Sequence, residues 1–191
     1  MKKSAYFHPK ALVDSKKDVG PGSCVWAFAH IMKGARVGRD SSLGDHCFVE
    51  KGAVIGDRVT IKNGISVWNG VTIEDDAFIG PNAVFTNDLW PMSRNPGFTL
   101  TPTRIRKGAS LGANVTVVCG NTVGEYALVG AGALVTRNIP PYALAYGHPA
   151  RVRGWVCRCR KPLKFSKSKA SCACGVLYRR SKNSVSPVQG R

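Results

Sequence analysis

Leu43-Gly-Asp-His-Cys-Phe-Val49-Glu-Lys-Gly-Ala-Val-Ile55-Gly-Asp-Arg-Val-Thr-Ile61 repeats its character every six residues. An apolar residue opens each hexad, and a small or branched one (Cys47, Ala53, Val59) stands four places later. Followed outward, the anchors are Phe7, Val13, Val19, Val25, Ile31, Val37, Leu43, Val49, Ile55, Ile61, Val67, Ile73, Ile79 and Phe85. All fourteen are apolar and eleven are Val or Ile. Ala11, Ser23, Ala29, Ala35, Ser41, Ile65, Val71, Ala77 and Ala83 keep the second place, which only Lys17 breaks. A period of six fits neither the 3.6 of a helix nor simple alternation along a long strand. It predicts an all-β fold in which short strands and tight corners wind into a prism. The anchor points inward, the small residue fits the corner, and β-branched anchors suit the pleated wall. Coils stacked about 4.8 Å apart then stabilise one another.

The beat pauses after Phe85 and returns at Ile105, Leu111, Val117, Val123, Val129 and Val135. The interval Phe85–Ile105 is twenty residues where six are expected, so fourteen are inserted. The insertion, spanning residues 86–104, carries three Pro and two aromatics. A long loop leaving a regular solenoid is a place to look for function.

The 191 residues bound the chain to one domain plus a small appendage. The expected division is a β-helix over 1–155 and a basic, Cys-rich tail over 156–191 with a disordered end. Met1-Lys2-Lys3-Ser4 leads straight into the repeat, and no apolar run approaches the ~18 residues of a membrane span. The expected location is the cytoplasm, without membrane contact. Cys24, Cys47 and Cys119 lie in the repeat and read as small buried hydrophobes rather than disulfide partners. The net charge of +17 is uneven: residues 1–150 hold 16 Lys and Arg against 11 acids, and residues 151–191 hold 12 against none. A basic end near anionic ligands raises their local concentration. Nucleic-acid binding is the competing reading of such a tail.

Over about residues 5–155 the repeat resembles the hexapeptide-repeat acyltransferases, which fold as a left-handed parallel β-helix with three hexads per coil. Their hand comes with the resemblance, because parallel crossovers are otherwise right-handed. Six to seven coils are implied. Ile65-Ser-Val-Trp-Asn-Gly-Val71, Gly80-Pro-Asn-Ala-Val-Phe-Thr-Asn87, Pro91-Met-Ser-Arg94 and Gly108-Ala-Ser-Leu-Gly-Ala-Asn-Val-Thr-Val-Val-Cys-Gly120 narrow the likeness. They resemble the enzymes that acetylate the 3-amino group of nucleotide-linked amino sugars for surface polysaccharides. Trp68 stands where Tyr is usual there, and Met92 where Arg is usual. One branch takes a UDP-2-acetamido-3-amino uronic acid and the other a dTDP-3-amino-3,6-dideoxyhexose. Asp88, acidic directly after the FTN motif, looks like the second, and a carboxylate here would repel a uronate.

The resemblance implies acetyl-CoA as co-substrate, a homotrimer with active sites between adjacent prisms, and a loop reaching across to the neighbour. An eighteen-residue coil stacks Lys33, Lys51, Asn69 and Asn87 in one column, His46, Gly64 and Asn82 in another, and Glu50, Trp68 and Thr86 in a third. Asn87 is the candidate for orienting the amine, since its amide oxygen can accept a hydrogen bond without taking a proton. Asp88 and His46 are the candidate bases. Lys51, Asn63, Trp68, Asn69 and Arg94 are the candidate substrate contacts. The resemblance places Ala113, Ala131, Arg137, Gly147, Pro149, Ala150, Arg151 and Arg153 along acetyl-CoA, with the arginines facing phosphates. Pro140-Pro141 is expected to end the last coil. Cys157-Arg-Cys159 and Cys172-Ala-Cys174 suggest a zinc-ribbon-like knuckle.

Three other readings compete. A γ-class carbonic anhydrase shares the prism but needs three His ligands with a close pair, which His8, His30, His46 and His148 do not form. A nucleic-acid-binding protein built on the tail leaves the insertion unexplained. A hexapeptide acetyltransferase with another small acceptor leaves the 3-amino-sugar motifs unexplained.

Overall fold

The computed structural model describes residues 4–182 and 184–188. Among them strands of two to five residues alternate with turns, and the one helical segment is the 3-10 turn Lys16–Asp18. That turn contains Lys17, the residue that breaks the small-corner rule. No described helix is long and apolar enough to cross a membrane.

The hexads close into a left-handed parallel β-helix with three walls. In the coils below the insertion anchors pair eighteen residues on: Val25 with Leu43 on the first wall, Ile31 with Val49 on the second, Val37 with Ile55 on the third. The first wall runs as nine strands from Tyr6–Phe7 to Arg151–Trp155, and the third as five. The second wall is split into a four-stranded run ending at Ser66–Val67 and a three-stranded run starting at Val84–Phe85. Across the insertion Ile73 pairs with Ile105, thirty-two residues on, which is one coil plus the fourteen inserted. The loop therefore leaves without disturbing the ladder on either side.

No anchor from Val25 to Val135 is more than 4% exposed. Phe7 and Val13 are only half-buried, because the first coil has none beneath it. The three corners repeat one backbone device, a left-handed residue three places after the anchor. On the first corner it is Phe28, His46, Asn82 or Asn114; on the second Gly52, Gly70 or Gly120; on the third Arg58, Asp76, Tyr126 or Tyr142. Directly after the anchor the coils nearly touch: a Cβ on Gly38 would lie 2.4 Å from the carbonyl carbon of Gly56.

The third corner adds a carboxylate ladder. Asp57 accepts the Arg39 N–H at 2.9 Å, and Asp75 accepts the Asp57 N–H at 2.9 Å. Arg39 Nε bonds Asp57 at 2.7 Å and Arg58 Nε bonds Asp76 at 2.6 Å. These bonds hold both carboxyls below their ordinary range, Asp57 chiefly through the Arg39 backbone and Asp76 chiefly through the Arg58 guanidinium.

Two expectations are corrected at the C-terminal end. Pro140-Pro141 does not end the solenoid: Ile139 still bridges Val123, and Ala145 pairs with Val129 sixteen residues before it. The prolines occupy the third corner, where the ladder asks neither for an N–H; Gly124 donates to the Ile139 carbonyl and Tyr142 to that of Glu125. The solenoid stops at Arg151–Trp155, which turns back antiparallel onto Ala143–Tyr146. The chain from Arg179 is likewise not disordered over its described part. Leu177–Ser181 lies between Lys169–Ser171 and Ser184–Pro187 in an antiparallel sheet. Residues 183 and 189–191 lie outside the described residues. Tyr178 and Val185 bury themselves in a second apolar cluster with Tyr142, Cys157, Leu163 and Cys172, and Trp155 touches both clusters.

Ile79→Ala, at the centre of the first wall, should cost about 2–5 kcal/mol in denaturant titration. Depressed carboxyl pKa values contribute stability that is full above the unfolded value of about 4 and lost as pH falls through the folded value. Arg58→Ala should therefore lower the neutral plateau of a thermal-midpoint-against-pH profile slightly, as befits an exposed pair, and shorten its acid limb, so that variant and wild type converge at low pH.

Candidate active site

The second corner is where the prism is interrupted. Gly34, Gly52 and Gly70 take this corner with left-handed backbones in the three coils beneath. Asp88 holds the equivalent place in the next coil, and there the chain leaves. Asn87 and Asp88 thus form the root of the loop, both half-buried. The Asn87 carbonyl accepts the Thr101 N–H at 3.2 Å, which ties the neck of the loop. One Asp88 oxygen accepts the Trp90 N–H at 2.8 Å. Thr86 Oγ1 accepts the Cys119 N–H of the coil above at 2.9 Å. A cleft of about 280 Å³ opens beside the root, lined by Asp88, Leu89, Trp90, Asn95, Gly97, Thr99 and Thr101.

Two glycines that the sequence reading did not single out seat the returning chain. A Cβ on Gly70 would meet Leu100 at 3.1 Å, and one on Gly120 would meet Thr101 at 3.2 Å. Their signal was present in the column Gly34, Gly52 and Gly70. Asn121, in a place otherwise kept small or apolar, turns its amide to the Val118 carbonyl at 2.7 Å.

Lys51, Asn69 and Arg137 share the second corner with Asn87 and are exposed. Asn69 is held from below, its N–H donating to Glu50 at 2.7 Å. Arg94 stands exposed at the loop tip with a left-handed backbone. Trp68 is half-buried at the edge of the second wall, packed on the core. Its indole N–H donates to the Phe85 carbonyl at 2.9 Å and bridges the gap between the two runs of that wall.

The first corner holds a different set. His46 is exposed there, its ring 4.9 Å from that of Phe28. Asn63 spends its side-chain oxygen on the Asp45 N–H at 3.3 Å. Ala113 and Ala131 stack on this corner, and the backbone of Gly112 approaches Ala131 so closely that a Cβ on Gly112 would lie 2.6 Å from the Ala131 nitrogen. Gly147, Pro149 and Ala150 cross the same corner to the second wall, where Gly147 accepts from and Ala150 donates to Leu134. Arg151 donates to the Ala150 carbonyl at 3.0 Å, and the Arg153 guanidinium lies 5.9 Å over the Tyr146 ring.

Within the chain, then, the second wall separates Asn87, Asp88, Lys51, Asn69 and Arg137 from His46, Ala113, Ala131, Gly147 and Pro149. The outer face of that wall is apolar and partly bare: Leu12 is 59% exposed, and His30, Phe48 and Trp68 make a chain of ring contacts. The loop is equally bare, with Trp90 82% exposed beside Leu89, Met92 and Phe98. A larger hollow, about 620 Å³, lies elsewhere, on the third wall between Arg106, Glu125 and Pro140. Arg106 is already paired with Glu74 at 3.0 Å and Glu125 at 3.3 Å, so it offers that hollow no free cation.

The four tail cysteines sit apart from both corners. Their sulfurs lie within 4.8 Å of one another. Burial pushes the Cys157 thiol up, but the Cys159 N–H, the Tyr178 hydroxyl and the neighbouring thiols outweigh it and bring it down to about 6.

The model of the "Bacterial transferase hexapeptide (six repeats)" family matches residues 52–87, and that of the "Hexapeptide repeat of succinyl-transferase" matches 34–68 and 102–137. The chain is 49% identical over 185 residues to the dTDP-3-amino-3,6-dideoxy-alpha-D-galactopyranose 3-N-acetyltransferase of Aneurinibacillus thermoaerophilus, covering 97% of this chain and 96% of that one. It belongs to the hexapeptide-repeat acetyltransferases. A hexapeptide-repeat acetyltransferase of Vibrio cholerae O1 biovar eltor, solved with acetyl coenzyme A, superposes with a TM-score of 0.55 at 26% identity over 64% of this chain and 70% of that one. The acetyltransferase domain of PglB from Neisseria gonorrhoeae FA1090 shares the fold, with a TM-score of 0.58 at 22% identity over 80% of this chain and 58% of that one.

In this acetyltransferase the Trp68 indole closes a wall whose backbone ladder is broken. Trp68→Phe keeps the ring packing and removes one donor, so it should cost about 0.5–1.5 kcal/mol in denaturant titration.

Proposed function

We propose that this acetyltransferase moves the acetyl group of acetyl-CoA onto the 3-amino group of a dTDP-3-amino-3,6-dideoxyhexose, as a cytoplasmic step toward a surface polysaccharide. The observation that carries the reading is the 49% identity along nearly the whole chain to an enzyme named for that reaction. The acid after the FTN motif supports the same branch. Asp88 stands at the loop root beside the cleft, where it would repel a uronate.

The chemistry asks little of a base. The neutral amine attacks the thioester carbonyl carbon, the C–N bond forms and the carbonyl oxygen takes the negative charge. The C–S bond then breaks, and the departing thiolate, with an ordinary pKa of about 8.5, can accept the proton that the new amide sheds. The enzyme's contribution is orientation, an effect that reaches about 7–11 kcal/mol in well-aligned pairs. Asn87 is suited to orienting the amine, because its backbone is pinned by Thr101 and its amide side chain stands at the loop root. Asp88 and His46 are the alternative proton acceptors. Lys51, Asn69 and Arg94 would face the nucleotide sugar. Ala113, Ala131, Gly147, Pro149 and Ala150 would lie along acetyl-CoA, with Arg137, Arg151 and Arg153 near the phosphates.

Those two groups stand on opposite edges of one wall, so a single protomer does not assemble them. A homotrimer in which the first corner of each prism faces the second corner of its neighbour brings them together. It also turns the apolar second wall inward and gives the bare loop residues a surface to cover.

The test is release of free thiol from acetyl-CoA with a panel of UDP- and dTDP-linked 3-amino sugars. The dTDP-linked 3-amino-3,6-dideoxyhexoses should turn over fastest, and silence with every 3-amino sugar would end the reading. Asn87→Ala should lower kcat by roughly 10²-fold or more while the KM for acetyl-CoA stays nearly constant. Unchanged turnover would remove Asn87 from the mechanism.

A further inference from the structure

The cysteine-rich tail is not absorbed by this function, and its geometry has its own logic. Two turns of the same form face each other. In the first, the Cys157 N–H donates to the Lys161 carbonyl at 2.9 Å and the Arg160 N–H to the Cys157 carbonyl at 2.8 Å. In the second, the Cys172 N–H donates to the Val176 carbonyl at 3.0 Å and the Gly175 N–H to the Cys172 carbonyl at 2.9 Å. Arg160 and Gly175, each directly after the second cysteine of its pair, both have left-handed backbones, with φ of 73° and 87°. Each turn thus presents two sulfurs from a tight loop, and the pairs meet with Cys157 and Cys174 at 3.4 Å and Cys159 and Cys172 at 3.5 Å.

We propose that Cys157, Cys159, Cys172 and Cys174 hold one zinc ion as a tetrahedral tetrathiolate, and that this ion lets residues 156–187 fold as a clamp on the third corner. A zinc–sulfur distance of about 2.3 Å sets the edge of such a tetrahedron near ~3.8 Å. The two cross-pair separations of 3.4 and 3.5 Å lie a little under that value, and all four sulfurs lie within 4.8 Å of one another. An all-sulfur, closed set of four is the donor chemistry of structural zinc.

Three further observations fit. First, the segment is too small to stand on its own apolar core. Below about 40 residues a fold usually needs a metal or disulfides, and this one buries only a handful of side chains besides its cysteines. Second, the cluster has an outer shell. The Tyr178 hydroxyl, fully buried, lies 3.2 Å from the Cys157 sulfur and accepts the Arg158 N–H at 3.0 Å, so its own proton is left to point at the sulfur. Third, the charge matches. Four thiolates around a divalent ion leave the site with a charge of two minus, and residues 151–191 carry 12 cationic side chains and no acid.

The clamp has a defined grip. Arg160 donates to the Tyr126 carbonyl at 3.1 Å and to the Gly108 carbonyl. Tyr126 stacks on Tyr142 at 5.4 Å, and Tyr142 meets Tyr178 edge-on at 5.4 Å. The module therefore fastens successive coils of the third corner, the one corner that carries no candidate catalytic group.

The full-length protein, produced with zinc and purified without chelator, should contain one zinc per chain by elemental analysis. A mercurial reagent should release it in step with thiol modification, read by a chromogenic zinc dye. Cobalt(II) in its place should give the visible bands of a tetrahedral thiolate site. Cys159→Ser with Cys174→Ser, at the two exposed cysteines, should abolish the zinc, and Cys24→Ser should keep it. Hydrogen exchange of the stripped wild-type protein should lose protection over 156–187 and keep it over the earlier coils. A metal-free chain equally protected over 156–187, iron in the site, or a native mass lowered by the protons of two disulfides would each overturn the assignment. Metal content is read without any sugar substrate, so its failure is separate from failure of the acetyl-transfer reading.

Discussion

The backbone ladder between coils, with its eighteen-residue register, is the constraint on which the rest of the structure depends. Each strand donates upward and accepts from below: Trp26 N–H bonds the Leu43 carbonyl at 3.0 Å, and Gly38 N–H bonds the Ile55 carbonyl at 2.8 Å. Because strands are only two or three residues long in most coils, one inward side chain per hexad carries each wall. A slip of one residue would turn that side chain to water, so the register is strongly specified. The inside of the prism is thereby denied to chemistry. The corners are not, and at the first and third the identity of the left-handed residue is nearly free: Phe28, His46, Asn82 and Asn114 all serve the first corner, whereas the second keeps Gly34, Gly52, Gly70 and Gly120.

The same constraint decided what the sequence made legible. The anchors, the small corner residues and the length of the insertion could be read directly, since each follows from a period that packing enforces. The last coil could not, because Ile139 and Ala145 pair sixteen residues from Val123 and Val129 and so leave the beat. The terminal sheet was hidden for a different reason. Only Tyr178 and Val185 point inward along its last two strands, and the remaining residues are polar enough to pass for a disordered end. At the site, the motif at Asn87–Asp88 marked where the chain departs, and the structure puts both residues at the loop root. The roles of Gly70 and Gly120 depend on which loop atoms lie above them. No periodicity carries that information.

Trp68 shows how scaffold and site share residues. It shares a column with Glu50 and Thr86 and is half-buried. Its N–H nevertheless goes to the Phe85 carbonyl, two residues before Asn87. The gap it bridges is the place where the second wall changes from its four-stranded to its three-stranded run, just below the loop. A side-chain bond there replaces backbone bonds that the ladder lacks. Whatever contact the ring makes outward, its orientation is set from the inside.

A prism built in this way is poor at closing around a ligand. Its walls are stiff because nearly every strand is bonded to the coils above and below, the gap in the second wall excepted, and stiff walls suit a reaction whose catalysis is mostly orientation. Rigidity also means that one flat-sided column cannot form a deep cleft by bending. On the proposed reading the cleft is made between two copies, beside the loop. The three corners divide accordingly. On the proposed reading, two carry the halves of the active site, with the apolar second wall between them facing a second copy. The third points away, and it is the corner to which the tail is fastened by Arg160, Tyr126 and Tyr142. On that reading a clamp on either of the other corners would occupy the ground where substrate and neighbour meet, and the side on which the tail docks leaves that ground open.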